Sequence, residues 1–371
     1  MNIGLARENP TIERRVPLTP AAVQTFIRAG HTVYFEKGAG EGARFDDRDY
    51  LEVGANIVYS KEEVYGRSNL LLKISPPTVE DLERLNQGEI VMSALTLAVA
   101  GKRVVEELLK KEITSIGYEL IEGKDGSLPV LKSISEMVGQ LAIPIAARYL
   151  ESSNEGRGLL LGGAAGVPPA AVVILGAGVV GSEAARIATA LGAQVIVIDK
   201  DAEPLRKVLE VCDHRITTAI ATEFNIDRGV QFADVLICAV MSKAERTPHL
   251  VTEQMVKKMK RGAVIVDISI DQGGCVETSR PTTHQDPVFV YNHVIHYCVP
   301  NIAASVARSA TFGLAVALFP FVREITDLGI TEALKRNSGL AAGVCTHKGV
   351  CTNSRIASLY QLPTQPIDKV I

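Results

Sequence analysis

The sequence predicts an α/β protein made of two doubly wound parallel-sheet domains, and three observations predict it. The chain has 371 residues, more than one ordinary domain and suited to two. Short runs of Val, Ile and Leu alternate with segments of helical spacing, the pattern of parallel strands covered on both faces. These alternations fall into two series with a helical stretch between them.

The first series opens with a strand at Asn2–Ala6. Thr19-Pro20 then caps and starts a helix that runs to Arg28 and ends at Gly30. His31–Phe35 reads as a strand, Gly38-Ala39-Gly40 as a turn, and Asn56–Tyr59 and Asn69–Ile74 as further buried strands. A short helix at Val79–Leu85, a strand at Glu89–Leu95, a helix at Lys102–Lys111 and a strand at Thr114–Leu120 follow. Ile134–Tyr149 has helical spacing and leads out of this domain. The second series holds strands at Ala171–Leu175, Gln194–Ile198, Val235–Ala239 and Ala263–Ile268. Ala304–Ile325 reads as a long apolar helix broken near Pro320. The tail after it is assigned back to the first domain. The expected domains are therefore 1–130 plus 305–371, which is discontinuous, and 131–304.

Composition removes several function classes. Hydrophobic residues make up 47% and charged residues 22%, the profile of a packed globular chain. Thirty-nine basic against 42 acidic residues leave a net charge of −3 with no basic arm or stripe, so no nucleic-acid partner is expected. The six cysteines are scattered without a CxxC pair, which fits a reducing compartment and predicts no structural metal. His293 and His296 read as structural. The charged N-terminus lacks a signal-peptide core, so a cytoplasmic location is expected. Gly158–Ser182 carries no charge and is long enough to span a bilayer. Its glycines and Pro168-Pro169 interrupt it, so a buried strand between glycine loops, and no membrane, is the expectation.

The strongest chemical signal lies in that stretch. Ala170–Leu175 is an apolar strand, and Gly176-Ala177-Gly178-Val179-Val180-Gly181 follows it as GxGxxG. A helix comes next, closed by Gly192, and the following strand ends in Asp199. This is the context that makes the motif a dinucleotide fingerprint and the second domain a Rossmann domain. Gly176 allows the tight turn, Gly178 lets a pyrophosphate approach the backbone, and Gly181 lets the helix pack on the strand. Ala177, Val179 and Val180 complete the loop and first turn, where free N–H groups and the helix dipole meet the diphosphate. Asp199 accepts the ribose hydroxyls and repels a 2′-phosphate, so the predicted cofactor is NAD.

Ligands of open parallel sheets sit beyond the carboxyl ends of the strands. Lys73 ends the apolar run Asn69-Leu-Leu-Leu, Thr96 follows the strand ending at Leu95, Arg15 precedes the first helix, and Asp271 lies just past Val264–Ile268. A guanidinium at Arg15 could clamp a carboxylate. Each has an ordinary alternative: Lys73 snorkelling to solvent, Arg15 on the surface beside Glu13 and Arg14, Asp271 forming a turn.

With these residues in view, the chain resembles the alanine dehydrogenase family, whose domains are shared with the nicotinamide nucleotide transhydrogenase alpha subunit. The resemblance rests on Arg15-Val16-Pro17-Leu18-Thr19-Pro20, Leu70-Leu-Leu-Lys73, Gly176–Gly181, Asp267-Ile-Ser-Ile-Asp271-Gln-Gly-Gly-Cys275, Ser279-Arg280-Pro281-Thr282-Thr283 and Tyr297-Cys298. It implies reversible oxidative deamination of L-alanine to pyruvate and ammonia with NAD. The first domain then becomes the substrate domain. The resemblance gives Arg15 the substrate carboxylate, Lys73 the carbonyl or imine oxygen, and Asp271 the proton transfers to water and ammonia. It places Ser135, Val240, Ile268, Asp271 and Asn301 along the cofactor and implies a homo-oligomer, hexamer or dimer. Three positions depart from the family pattern. Its strand-end histidine falls at Thr96, whose hydroxyl has no pKa near neutrality. Its Asn-Met-Pro turn reads Asn301-Ile302-Ala303, and the loop after Val240 lacks its Pro-Gly. Two further readings stay open: an opine-like dehydrogenase of another amino acid or 2-oxo acid, and an NAD-binding sensor of little catalytic power.

Overall fold

A computed structural model describes residues 1–241 and 247–371. The chain divides into two compact units, Met1–Ile134 with Ala304–Ile371, and Ser135–Ala303. Residues 1–134 supply six strands: β1 (Asn2–Leu5), β2 (Thr32–Glu36), β3 (Asn56–Val58), β4 (Leu70–Leu72), β5 (Ile90–Ser93) and β6 (Thr114–Gly117). Residues 135–303 supply β7 (Ala171–Leu175), β8 (Gln194–Asp199), β9 (Thr217–Ile220), β10 (Val235–Cys238), β11 (Val264–Asp267), β12 (Val288–Tyr291) and β13 (Val294–Tyr297). The C-terminal segment adds β14 (Val344–His347) and β15 (Val350–Cys351).

In the first unit the strand order is β15-β14-β6-β5-β4-β1-β2-β3. β1 to β6 run parallel, and β14 and β15 close one edge antiparallel. Side chains alternate between the two faces of a strand. Accordingly Leu70, Leu72, Met92 and Ile116 pack in one core, and Leu71 and Val91 in another. In the second unit the order is β12-β13-β11-β10-β7-β8-β9, parallel except for the β12–β13 hairpin. β7, β10 and β11 are buried along their whole length, as central parallel strands should be.

Local chemistry sets the ends of elements. Thr19 accepts the N–H of Ala22 and caps the helix Pro20–Arg28, and Gly30 follows it at φ +87°. The strand expected to reach Leu120 stops at Gly117, and Tyr118–Leu120 forms a 3-10 turn. The helix expected from Ile134 starts at Pro129 and runs through Pro144 to Leu150. The helix expected at Ala304–Ile325 begins instead as a 3-10 turn, Ile302–Val306, and continues unbroken through Pro320 as Ala307–Leu328. Pro320 is exposed, so the carbonyl it frees, on exposed Val316, can meet water. The buried stripe Leu314, Leu318, Val322 and Ile325 holds both halves of that helix to the core. This helix and Pro129–Leu150 are long and apolar enough to cross a membrane by length and composition alone. Burial of that stripe is the ordinary state of a core helix.

Candidate functional site

Each sheet has a point where the chain, having built outward on one side of its first strand, crosses to the other side. In open α/β sheets ligands bind at such points, beyond the carboxyl ends of the strands. In the second unit that point lies between β7 and β10. The loop after β7 is Gly176-Ala177-Gly178, leading into the helix Val179–Ala190. Gly176 sits at φ +99°, and a Cβ there would lie 2.5 Å from the carbonyl of Ala239, in the loop after β10. A Cβ on Gly181 would lie 1.8 Å from the Gly176 carbonyl and 3.3 Å from Ile174 on β7. Packing of the chain on itself therefore explains both. Gly178 is different: a Cβ there meets nothing within 4 Å. It opens on space at a helix N-terminus that no side chain caps, a cradle that fits a dinucleotide's diphosphate.

Asp199, at the end of β8, accepts the N–H of Ala177 at 2.6 Å and that of Asp201 at 3.0 Å. Its carboxylate thus ties the glycine loop to the neighbouring strand end. A carboxylate oxygen has more than one lone pair, so ribose hydroxyls can still be accepted there. Val240, Ile268, Asp271 and Asn301 lie on the segments that follow β10, β11 and β13. Ser269 pins Val240 at both ends, donating to its carbonyl at 2.7 Å and accepting its N–H at 3.1 Å. Asp271 accepts the N–H of Asn301 at 2.9 Å, and Asn301 is left-handed at φ +57°. Ser135 stands one turn before Gly139 on the helix Pro129–Leu150. That helix packs so closely that a Cβ at Gly139 would lie 2.4 Å from the carbonyl of Val180. Residues 242–246, where the family's Pro-Gly would fall, lie outside the described residues.

The cysteines, scattered in sequence, are partly gathered by the fold. Ligand atoms of Cys238, Asp267 and Cys275 come within 4.8 Å of one another. Asp267 already accepts the N–H of Cys275 at 3.0 Å and of Val276 at 3.3 Å, and burial pushes the Cys238 thiol well up. Satisfied in this way, the group reads as core rather than as a ligand set.

In the first unit the switch lies between β1 and β4, and Lys73 stands directly after β4. Only 3% exposed, it does not snorkel out. Its Nζ lies 3.2 Å from Asp81, 3.6 Å from Glu8 and 3.3 Å from the hydroxyl of Tyr65, which in turn donates to Asp81 at 2.9 Å. The other oxygen of Glu8 accepts the N–H groups of Ile74 and Ser75 at 2.7 and 3.1 Å, so the segment after β1 is tied to the segment after β4. Burial would raise the Asp81 carboxyl, but the Lys73 charge, the Thr78 N–H and the Tyr65 hydroxyl outweigh it and hold Asp81 below the usual carboxylate range. Arg15 is also buried and makes a bidentate pair with Glu13, Nε to Oε1 at 2.9 Å and Nη2 to Oε2 at 2.8 Å. The surface alternative for Arg15 and the snorkelling alternative for Lys73 both fail on burial.

Thr96 follows β5 in a left-handed conformation, φ +40° and ψ +41°. Its N–H and that of Leu95 go to the two carboxylate oxygens of Glu119, at 2.7 and 3.2 Å. Burial raises Glu119 above the usual carboxylate range. Beside it the buried hydroxyl of Tyr118 has no hydrogen-bond partner among the described residues.

Sequence reasoning missed Glu8, Glu13, Tyr65, Asp81, Glu119 and Ser269. One signal was available. A lysine at the end of a fully apolar strand is buried, and a buried ammonium must find acids. Glu8, just past β1, was the nearest candidate by topology. Asp81 was disguised by its place in a helix capping box with Thr78.

Comparison with known proteins covers nearly the whole chain. Residues 4–138 match the family described as Alanine dehydrogenase/PNT, N-terminal domain, and residues 142–354 match Alanine dehydrogenase/PNT, C-terminal domain. An alanine dehydrogenase of Methanococcus maripaludis is 40% identical over 372 residues, covering 100% of both chains. One from Mycobacterium tuberculosis is 41% identical over 368 residues, covering 99% of each. A solved L-alanine dehydrogenase structure superposes with a TM-score of 0.90 at 37% identity, covering 97% of this chain and 99% of that one. A transhydrogenase from Sinorhizobium meliloti, at 23% identity and a TM-score of 0.79 over 95% of this chain and 99% of its own, shares the fold.

Proposed function

The chain belongs to the alanine dehydrogenase/PNT family, and from that membership we propose that it is an NAD-dependent L-alanine dehydrogenase. It would convert L-alanine and water reversibly to pyruvate and ammonia, acting as a cytoplasmic homo-oligomer on a small-molecule substrate. The observation that carries this reading is Lys73: a buried ammonium at a topological switch point, oriented by Glu8, Asp81 and Tyr65. A cation costs too much to bury there without a task or a partner, and these partners fix its position.

Gly176–Gly181, Asp199, Val240, Ile268, Asp271, Asn301 and Ser135 would hold the dinucleotide, whose nicotinamide, when bound, accepts the hydrogen with its electron pair from the substrate α-carbon. The acid at Asp199 favours NAD over its 2′-phosphorylated form. Arg15, with its plane set by Glu13, binds the substrate carboxylate. Lys73 donates to the oxygen on the reacting carbon and stabilises the negative charge that develops on it. Thr96 contributes a hydrogen bond but no proton exchange at neutral pH, because its hydroxyl does not titrate there. From the family resemblance, Asp271 shares with Lys73 the proton transfers to and from water and ammonia.

Thr96 also favours a second reading, a larger amino acid or 2-oxo acid, since a small hydroxyl stands where the family pattern has an imidazole. One assay separates them: NADH absorbance followed with pyruvate and ammonium, with L-alanine and NAD, and then with a panel of 2-oxo acids and amino acids. Turnover with pyruvate and alanine is expected. Turnover with other members of the panel alone selects the second reading, and tight NADH binding without any turnover removes both.

A further inference from the structure

We propose that Glu119 is a positioning residue of this reaction: by accepting the backbone N–H groups of both Leu95 and Thr96, its carboxylate holds Thr96 left-handed and so directs the threonine hydroxyl toward the substrate. The inference rests on the reading just given.

The conformation is the first observation. At φ +40° and ψ +41°, Thr96 occupies a region that β-branched residues avoid, because the branched Cβ crowds the backbone. Such an outlier persists only when its surroundings impose it. Glu119 is what imposes it, with bonds of 2.7 Å to the Thr96 N–H and 3.2 Å to the Leu95 N–H. Sheet register brings the two together: Ser93, the last residue of β5, pairs with Gly117, the last of β6. Glu119 therefore lies beside the segment that leaves β5. A Cβ on Gly117 would come within 3.2 Å of Glu119 Oε2, so the glycine leaves the carboxylate its place.

A second carboxylate in this chain does similar work. Asp271 accepts the N–H of left-handed Asn301. Asparagine tolerates that conformation, whereas threonine does not. At Thr96 the carboxylate spans two successive N–H groups. The threonine hydroxyl makes no hydrogen bond among the described residues, and the residue is partly exposed, so the group that the turn presents remains available to a ligand.

The test is a double-mutant comparison in the full chain. Glu119→Gln keeps the size of the side chain but offers one acceptor and an amide N–H₂ that opposes the second N–H. It is expected to lower kcat with pyruvate at least tenfold while the Kd for NADH stays unchanged. Thr96→Asn installs a residue at ease in the left-handed region. In that background Glu119→Gln is expected to cost less than about threefold. The ligand-free Tm is expected to follow the same pattern, a readout that needs no turnover. If Glu119→Gln does not fold, Glu119→Asp, which is too short to span both N–H groups, carries the comparison in both backgrounds. An unchanged kcat in Glu119→Gln overturns the inference. So does an equal loss with and without Thr96→Asn. If the wild-type chain turns over no substrate at all, the functional reading falls and takes this inference with it; wild-type turnover with an indifferent Glu119→Gln removes the inference alone.

Discussion

Replacing Lys73 by methionine should cost the first unit a large part of its stability, by an amount that depends on pH. Methionine keeps most of the stem volume but deletes the charge between Asp81 and Glu8, both buried. Breaking a buried pair by removing one partner costs about 3–5 kcal/mol, because the other charge is left uncompensated. That corresponds to a fall of roughly 10 °C in Tm. In the native chain Asp81 titrates below its ordinary value, so it contributes stability that is present above that ordinary value and lost as pH falls through the depressed one. Without Lys73 the balance turns. Desolvation, the largest influence on Asp81, is then opposed by the Thr78 N–H, the Tyr65 hydroxyl and the half-exposed ammonium of Lys61 at 4.0 Å. The carboxyl should rise from its depressed position, and the mutant's deficit should shrink as pH falls from about 7.5 toward about 5. Urea unfolding of the ligand-free protein at those two pH values measures this. It is best followed by far-ultraviolet circular dichroism, since the chain has no tryptophan. Lys73→Met combined with Asp81→Asn should recover more than half of the loss at neutral pH, as Asn keeps an acceptor for Tyr65. A loss under about 1 kcal/mol, or one that is the same at both pH values, would refute the assignment of Lys73 to this buried network.

Two substitutions in the glycine loop should part company. Gly178→Ala meets open space within the protein, so Tm should stay within about 1–2 °C while NADH affinity falls at least tenfold; equal affinity would mean that nothing approaches the loop there. Gly181→Ala sets a Cβ against the Gly176 carbonyl and should lower both, which a thermal melt and an NADH titration on one preparation can check. Asp199→Ala removes the acceptor for Ala177 and the acid at the end of β8, so on the proposed reading NAD should weaken relative to NADP. An unchanged ratio of the two affinities would sink that role.

The sequence by itself determined the fold class, the central strands and the glycine loop between strand and helix, because those follow from local rules. A run such as Leu70-Leu-Leu or Ala171–Leu175 has few conformations that bury it, and a GxGxxG between such a strand and a helix has few uses. Short polar elements escaped it. The helices Asp47–Glu52 and Lys61–Arg67 and the half-exposed edge strand β9 carry little hydrophobic period of their own. Pro320 was misread as a break because local propensity outranks packing only when no core holds the helix, and here one does. The partners of the site belonged to the tertiary structure alone. Lys73 meets Glu8 from the end of another strand and Asp81 from a helix cap, and Thr96 is held by a glutamate 23 residues away. Such pairings depend on strand order and register, which are fixed by how whole layers bury their faces. No local pattern encodes them.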